Sequence, residues 1–401
     1  MAVERTAGHV QALLLLFGSC LPVLGAVLIA PVLPRMHAHF AETPGAAVLV
    51  PVALTLPALV IALLAPLAGV LADRVGRRPL LLASMLLYSL CGVLPLWLDS
   101  LGLIVASRAG IGLAEAGIMT CCTTLMGDYF DGQRRERLFA LQMVMTSLSA
   151  AVFMGLGGAL GESGWRTPFM LYAVGLLCLP LMVGVLWEPR ARRVGSAPMS
   201  VTHFPWAALA PLYLLTVLAG ISLFIVPVQA GYLLQLLHVD APQQVGLTMG
   251  ANQLGVLAGA LAFRRLTQQP SGRLLALGFV TAGLGGGLMA LSTSHAPVML
   301  AVLINGLGVG LLLPTLITRV MQQVGFDQRG RATGGFTASI FAGEFISPLL
   351  VLAFTGGVTS QLPHALLLIA LGQVVLAPVC LLLISRQNLI VDGGTAIGGG
   401  N

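Results

Sequence analysis

The sequence predicts an all-α membrane protein with twelve transmembrane helices in two similar six-helix bundles. Hydrophobic residues make up 57% of the 401 residues and charged residues only 8%, and the mean hydropathy is +0.96. A soluble domain cannot bury that much apolar surface, because its exterior must face water. Apolar segments also recur along the whole chain, whereas a secretory signal peptide contributes one short segment at the start.

Each predicted span is an apolar segment bounded by charged residues or by proline and glycine. A helix needs about 20 apolar residues to cross the hydrocarbon core. By that measure we expect the spans at 10–33, 46–71, 79–98, 101–126, 138–161, 166–187, 206–236, 244–263, 273–292, 297–321, 332–355 and 363–385.

The longest polar connection divides these spans into six plus six. It contains the stretch EPRARRVGSAPMSVTHF. We therefore predict an N-terminal bundle over 1–187, a cytoplasmic central loop over 188–205 and a C-terminal bundle over 206–386. The remainder, 387–401, is glycine-rich and is expected to be a disordered cytoplasmic tail.

Arginines set the predicted orientation. All twenty basic residues are arginine, and an N-terminus in the cytoplasm puts seventeen of them on that side. Arg35 and Arg166 fall on the far side, and Arg108 falls within a span. This asymmetry follows the positive-inside rule, so both termini are expected in the cytoplasm and the protein in the bacterial inner membrane. The net charge of +6 thereby reflects membrane orientation and not nucleic-acid binding.

The composition also argues against several kinds of chemistry. Without lysine there is no Walker A phosphate loop and no Schiff base to retinal or pyridoxal phosphate. The six cysteines lie in apolar segments without a CxxC pair, as packing residues do. GESG at 161–164 matches an intramembrane serine protease only by its letters. We therefore expect no enzyme activity, no cofactor and no metal site.

Short motifs show where the two halves correspond. The loop after the second span reads GVLADRVGRRP, and the loop after the eighth reads GALAFRRLTQQPSGR, with Phe263 in place of Asp73. Two similar halves are typical of secondary transporters.

These features resemble the major facilitator superfamily. GVLADRVGRR at 69–78 is similar to its signature between the second and third helices. LGAVLIAPVLP at 24–34 resembles the first-helix signature of the twelve-helix drug:proton antiporters, and RAGIG at 108–112 resembles the fourth-helix motif whose arginine is tied to proton coupling. GGALGESGWRTPF at 157–169 resembles the superfamily's passage from the fifth to the sixth helix. The antiporter signature in the fifth span should also have Gly-Pro before Gly157-Gly158, where this chain has Phe153-Met154. That departure weakens the inference of antiport, though not of transport.

The resemblance implies a cytoplasmic latch in the loop after the second span. Asp73 would face the N-terminal end of the eleventh span, where the helix dipole favours an anion. Asp128 and one of Arg134, Arg135 and Arg137, all in or beside the next loop, would complete a charge relay. Alternatively, the arginines serve only as orientation signals, although positive-inside sorting does not require an acid. The predicted gating residues are Asp73, Arg74, Gly76, Arg77, Arg78 and Asp128.

Three charged residues fall inside spans, where charge is costly and points to function. Arg108 and Glu115 share one face of the fourth span, about 10 Å apart along its axis, too far for a simple ion pair. Glu344 lies between Phe341 and Phe345 in the eleventh span. All three are candidates for proton coupling or substrate binding; structural hydrogen bonding is the alternative.

Further polar and aromatic residues within spans are candidates to line a pocket. The alternative is that the polar ones hydrogen-bond neighbouring helices and the aromatic ones face lipid or core. The glycine run GLGVG at 306–310 should permit close helix packing. The candidate pocket residues are Phe17, Met119, Gln142, Phe224, Gln229, Asn252, Asn305 and Phe341.

We therefore expect a monomeric secondary transporter that exports a small amphipathic molecule in exchange for protons by alternating access. Its partners would be the substrate, protons and the lipid bilayer. One alternative is proton-coupled uptake or facilitated diffusion of a specific small solute. Another is a non-transporting receptor or lipid-handling protein with the same fold.

Overall fold

The computed structural model describes residues 7–189, 204–325 and 328–396, and within these ranges the chain is helical with short connections and no strand. The helices of the first half are α1 (His9–Val27), α2 (Leu33–His39), α3 (Ala46–Val75), α4 (Arg77–Val93), α5 (Leu101–Tyr129), α6 (Gly132–Gly161) and α7 (Val174–Val185). Those of the second half are α8 (Trp206–Leu236), α9 (Pro242–Leu266), α10 (Ser271–Leu291), α11 (His295–Gln322), α12 (Arg329–Thr355) and α13 (Leu362–Ala396).

Twelve helical stretches in the described ranges are long and apolar enough to cross a membrane, which confirms the predicted number. The first of them, His9–His39, combines α1 and α2. A short 3₁₀ turn at Ala30–Val32 joins these two helices and carries Pro31 near its start. Pro31 has no backbone N–H to donate, which favours the break between α1 and α2 at this point.

Two predicted segments fall partly outside the described residues. Residues 190–203, which make up most of the predicted central loop, are among those not described, and so are 397–401 at the end of the predicted tail. The last helix, α13, continues to Ala396, into the segment expected to be a disordered tail.

The described residues form two compact units. The first takes in those within Met1–Ser200 together with Pro227–Gln235 and Asp240–Gly250. The second takes in those within Val201–Val226, Leu236–Val239 and Ala251–Asn401. The long helices α8 and α9 therefore each contribute residues to both units.

Glycines allow the close helix packing expected from the sequence. In the second unit, Gly306 and Gly310 of α11 lie against backbone carbonyls of α9, and Gly308 lies against the backbone of α10. In the first unit, Gly157 of α6 lies against the carbonyl of Leu28. The helix α6 runs unbroken over Gly132–Gly161, without the proline kink of the antiporter signature.

Candidate functional site

Arg108 lies on α5 and is fully buried in the first unit. Its guanidinium donates three hydrogen bonds: Nε to the carbonyl of Ala53 (2.9 Å), Nη1 to the hydroxyl of Tyr172 (2.6 Å) and Nη2 to the carbonyl of Gly25 (2.5 Å). These acceptors are neutral and come from α3, from the 3₁₀ turn before α7 and from α1. Three oriented dipoles from three different elements therefore hold the buried guanidinium in place.

Glu115 lies two turns further along α5 and is also fully buried. Its carboxylate packs directly on the backbone of Gly25, so closely that a Cβ at that position would overlap Oε1. It also interacts electrostatically with Tyr88 and Tyr172. The ring centroids of these two tyrosines are 5.2 Å apart, and the Tyr88 hydroxyl donates to the carbonyl of Leu21 (2.6 Å). Glu115 thus belongs to the same buried cluster as Arg108.

Gly25 is the point at which Arg108 and Glu115 meet. Its carbonyl accepts from the arginine and its Cα faces the glutamate. The sequence indicated the two charged residues and their shared face, but it did not indicate Tyr172 or the meeting point. Gly25 lies in a segment that only a family resemblance indicates. No helical periodicity connects Gly25 or Tyr172 to α5.

Glu344 is the buried acid of the second unit, on α12, with 5% of its surface exposed. Its Oε2 and the hydroxyl of Ser347, one turn further on, have no hydrogen-bond partner among the described residues. The preceding Gly343 packs against the backbone of α8 at Val217. Phe341 and Phe345 flank the acid and are half-buried. Glu344 is therefore a carboxylate held at a tight helix contact with one oxygen unsatisfied.

The predicted gating residues lie around the junction of α3 and α4. Arg77 forms ion pairs with Asp73 one turn before it (3.5 Å) and with Asp128 at the end of α5. Asp128, expected as a member of the charge relay, thus pairs with an arginine of the loop after the second span. The side chain of Asp73 is 72% exposed.

An acid that the sequence analysis did not single out holds this junction. The carboxylate oxygens of Glu188 accept from the backbone N–H groups of Arg77 (2.8 Å) and Arg78 (2.7 Å), the first two residues of α4. Gly76 has a φ of +103°, which favours glycine, and a Cβ there would lie 3.1 Å from the Glu188 carboxyl carbon. Glu188 thus caps the N-terminus of α4, where unpaired N–H groups favour an anion.

The candidate pocket residues differ in their surroundings. Gln142 donates to the hydroxyls of Ser19 (2.9 Å) and Thr123 (3.3 Å), which connects α6, α1 and α5. The exposed fractions of five other candidates fit either a pocket or a packed core. Phe17, Met119 and Phe341 are half-buried, whereas Phe224 and Gln229 are buried.

Asn252 and Asn305 form a buried amide pair in the second unit. Asn252 donates to the carbonyl of Val302 (2.8 Å) and to the side-chain oxygen of Asn305 (3.3 Å). Asn305 donates in turn to the carbonyl of Ala282 (2.9 Å). These bonds connect α9, α10 and α11. Both residues therefore have the contacts of the structural alternative, hydrogen bonding between neighbouring helices.

Glu162 occupies the GESG segment at the end of α6. Its Oε1 accepts from the backbone N–H of Gln243 (3.0 Å) in the first turn of α9, and its Oε2 lies 3.5 Å from Arg35. Arg35 also donates to the carbonyl of Gly161 (2.8 Å). All of these residues belong to the first unit. Glu162 accepts from an N–H group in the first turn of α9 and therefore caps the N-terminus of that helix.

Comparison with known proteins agrees with this architecture. The model of the Major Facilitator Superfamily matches residues 15–348 and 212–392. A tetracycline resistance protein, class C, of Escherichia coli is 29% identical over 371 residues, which cover 86% of this chain and 89% of the relative. The quinolone resistance protein NorA of Staphylococcus aureus (strain MRSA252) is 23% identical over 389 residues, 94% of this chain and 97% of NorA.

Solved structures show the same fold. A bacterial homologue of the human lysosomal transporter Spinster, in an inward-facing and unoccupied conformation, matches with a TM-score of 0.77 at 16% identity, covering 94% of this chain and 96% of that one. A peptide transporter, POT, matches with a TM-score of 0.74 at 16% identity, covering 94% of both chains. The chain is thus a multi-pass membrane transporter for a small molecule, and it belongs to the Major Facilitator Superfamily.

Proposed function

We propose that this transporter exports a small amphipathic molecule in exchange for protons. The observation that carries the proposal is Glu344, a carboxylate buried inside a membrane-spanning helix with one oxygen unpartnered among the described residues. An acid in that position must be neutralised by a proton or by a cationic group of the substrate. Those two occupants exclude each other, which is the condition for exchange.

Glu115 and Arg108 are proposed as the second element of the coupling. The guanidinium is fixed by three neutral acceptors, so its charge is a constant part of the field around Glu115. Protonation of Glu115 changes the net charge of this buried cluster. Coupling then requires that the protonated and substrate-bound forms favour different states of the transporter, because a ligand shifts an equilibrium only through its differential affinity.

The relatives support a drug-like substrate. Their names attribute resistance to tetracycline and to quinolones, respectively. The apolar and amide side chains proposed for the pocket, such as Phe17, Met119 and Gln142, suit a partly apolar molecule with hydrogen-bonding groups.

The cluster around Asp73 is proposed to gate transport from the cytoplasmic side. The positive-inside distribution of arginines supports that orientation, with both termini in the cytoplasm of a bacterial inner membrane. Asp73, Arg77 and Asp128 form a continuous chain of charges, and Glu188 fixes its geometry. A single chain has enough spans for a complete pathway, so we propose a functional monomer.

Proton-coupled uptake is the second candidate. It is favoured by α6, which is one continuous helix without the proline that the antiporter signature places before the paired glycines. The two candidates predict opposite relations between the proton gradient and the direction of substrate flux.

Purified protein in proteoliposomes separates them. Tetracycline, norfloxacin and ethidium serve as probes, with a pH gradient imposed in each direction. Exchange predicts accumulation of a probe when the lumen is acidic, whichever way the protein is inserted. Accumulation with an acidic exterior would instead indicate uptake. Flux of all three probes that does not respond to either gradient would contradict proton coupling.

The carboxylates are tested by the substitutions Glu344→Gln and Glu115→Gln, with Glu136→Gln as the control. Glu136 is an exposed acid near the start of α6. Each buried substitution should abolish gradient-driven accumulation, whereas the control should transport like the unmodified protein. Gradient-driven accumulation retained by both variants would refute the assigned roles.

A further inference from the structure

A groove opens on the surface of the first unit between α3, α4 and α5. It has a cavity volume of about 490 Å³. Small residues line part of it, among them Ala83, Ser84 and Gly117, and its walls are six leucines and Val70. Gly117 lies against the Ser84 hydroxyl, so α4 and α5 approach closely at that point.

The walls of the groove are exposed apolar side chains. Leu67 is 60% exposed, Leu71 45% and Leu113 50%. Exposed apolar side chains on helices that can span a membrane suit contact with lipid acyl chains. The groove is separate from the buried cluster, because neither Arg108 nor Glu115 lines it.

One end of the groove carries a cation. Arg74 lines the groove and is exposed, and it forms no ion pair with any described residue. Its neighbours are engaged elsewhere: Arg77 pairs with two acids, and Arg78 donates to the carbonyl of Val183. Arg74 is therefore available to an anion at the mouth of the groove.

The length of the groove matches one leaflet of a bilayer. Its lining residues on α3 run from Leu64 to Arg74. Ten residues of helix rise about 15 Å, and half of a hydrocarbon core is also about 15 Å. An acyl chain that filled the apolar part would therefore bring its headgroup to the level of the Arg74 guanidinium.

We propose that this groove binds an anionic phospholipid, with one acyl chain between α3, α4 and α5 and the phosphate on Arg74. A guanidinium can bind a phosphate through two parallel hydrogen bonds, and its charge favours a lipid with net negative charge over a zwitterionic one. The proposal does not depend on which molecule is transported.

Native mass spectrometry of the full-length protein tests the proposal. The protein is incubated with phosphatidylglycerol or phosphatidylcholine, and the retained lipid is counted. The unmodified protein should retain phosphatidylglycerol in preference. Arg74→Gln should lower that retention by about tenfold, the loss expected for one charge-assisted contact. Ala83→Phe, which fills the groove from an exposed position, should lower retention of both lipids.

Two controls keep the result interpretable. Arg135→Gln removes an equivalent exposed charge on α6 and should retain phosphatidylglycerol normally. Leu67→Trp repeats the blocking of the groove at another exposed position in case Ala83→Phe does not fold. Equal retention by the Arg74 and Arg135 variants, equal retention of the two lipids, or normal retention after blocking would each overturn the proposal. Displacement of the lipid by tetracycline would show that the groove binds the drug probe and would also overturn the proposal.

Discussion

Arg108 and Glu115 are seven positions apart on α5, and both side chains end at the same residue of α1, Gly25. The carbonyl of Gly25 orients the guanidinium, and the absence of a side chain there makes room for the carboxylate. This arrangement brings a carboxyl group and a guanidinium into one buried cluster, and both of them contact the backbone of Gly25.

Replacing Gly25 with alanine should abolish transport. The new methyl group would overlap Oε1 of Glu115 and displace the carboxylate, because α1 and α5 are both buried here and cannot separate cheaply. Flux in proteoliposomes is the measurement, and Gly155→Ala is the matched control, since a Cβ at Gly155 has open space around it. Normal flux in Gly25→Ala would show that the carboxylate does not need this position.

Arg108→Lys should lower the thermal stability of the protein although it conserves the charge. An ammonium group cannot reproduce the three directions in which the guanidinium donates, and each buried acceptor left without a partner costs about 1–3 kcal/mol. Tyr172→Phe removes one of these contacts and should have a smaller effect on thermal stability. Melting curves of the purified variants compare the two. Equal melting temperatures for Arg108→Lys and the unmodified protein would exclude this role of the guanidinium.

Asp73→Asn should slow turnover and leave substrate binding intact. Asp73 is exposed and pairs with Arg77, so its loss weakens the charge cluster at the junction of α3 and α4 without disturbing a buried contact. We expect flux to fall by about tenfold, which corresponds to an activation barrier about 1.4 kcal/mol higher. Ethidium binding by fluorescence and flux in proteoliposomes are measured on the same preparation, and unchanged flux would argue against a gating role.

Glu188→Ala should loosen the start of α4. The substitution removes the acceptors of two backbone N–H groups and an anion at a helix N-terminus, together about 1–2 kcal/mol. Hydrogen exchange at the first turn of α4 should accelerate, while exchange in α5 is unchanged. Glu136→Ala is the control, because it also removes an acid. Equal protection from hydrogen exchange in the first turn of α4 in the two variants would mean that the cap contributes little to the stability of that turn.

The fold was predictable because its signals are local. About twenty apolar residues in a row specify a span without information on tertiary contacts. The buried charges Arg108, Glu115 and Glu344 were predictable for the same reason, since any charge within a span is conspicuous.

The partners of these charges were not predictable. Tyr172 is 64 positions from Arg108, and Glu188 is 111 from Arg77, so no periodic pattern connects them. Glu188 also stands at the start of a stretch rich in arginine, which directed attention to orientation. The acceptors Ala53 and Gly25 act through backbone carbonyls, which every residue has, so their side chains give no indication of the role.

The central claim is that substrate and proton compete for Glu344, and proton release on binding tests it most directly. Ethidium, which has no proton to give near neutral pH, is added to concentrated protein in weakly buffered detergent solution with a pH indicator. The account predicts that binding releases protons from the unmodified protein and from Glu136→Gln, and that Glu344→Gln releases none. Ethidium binding without release, or the same release from Glu344→Gln, would contradict it.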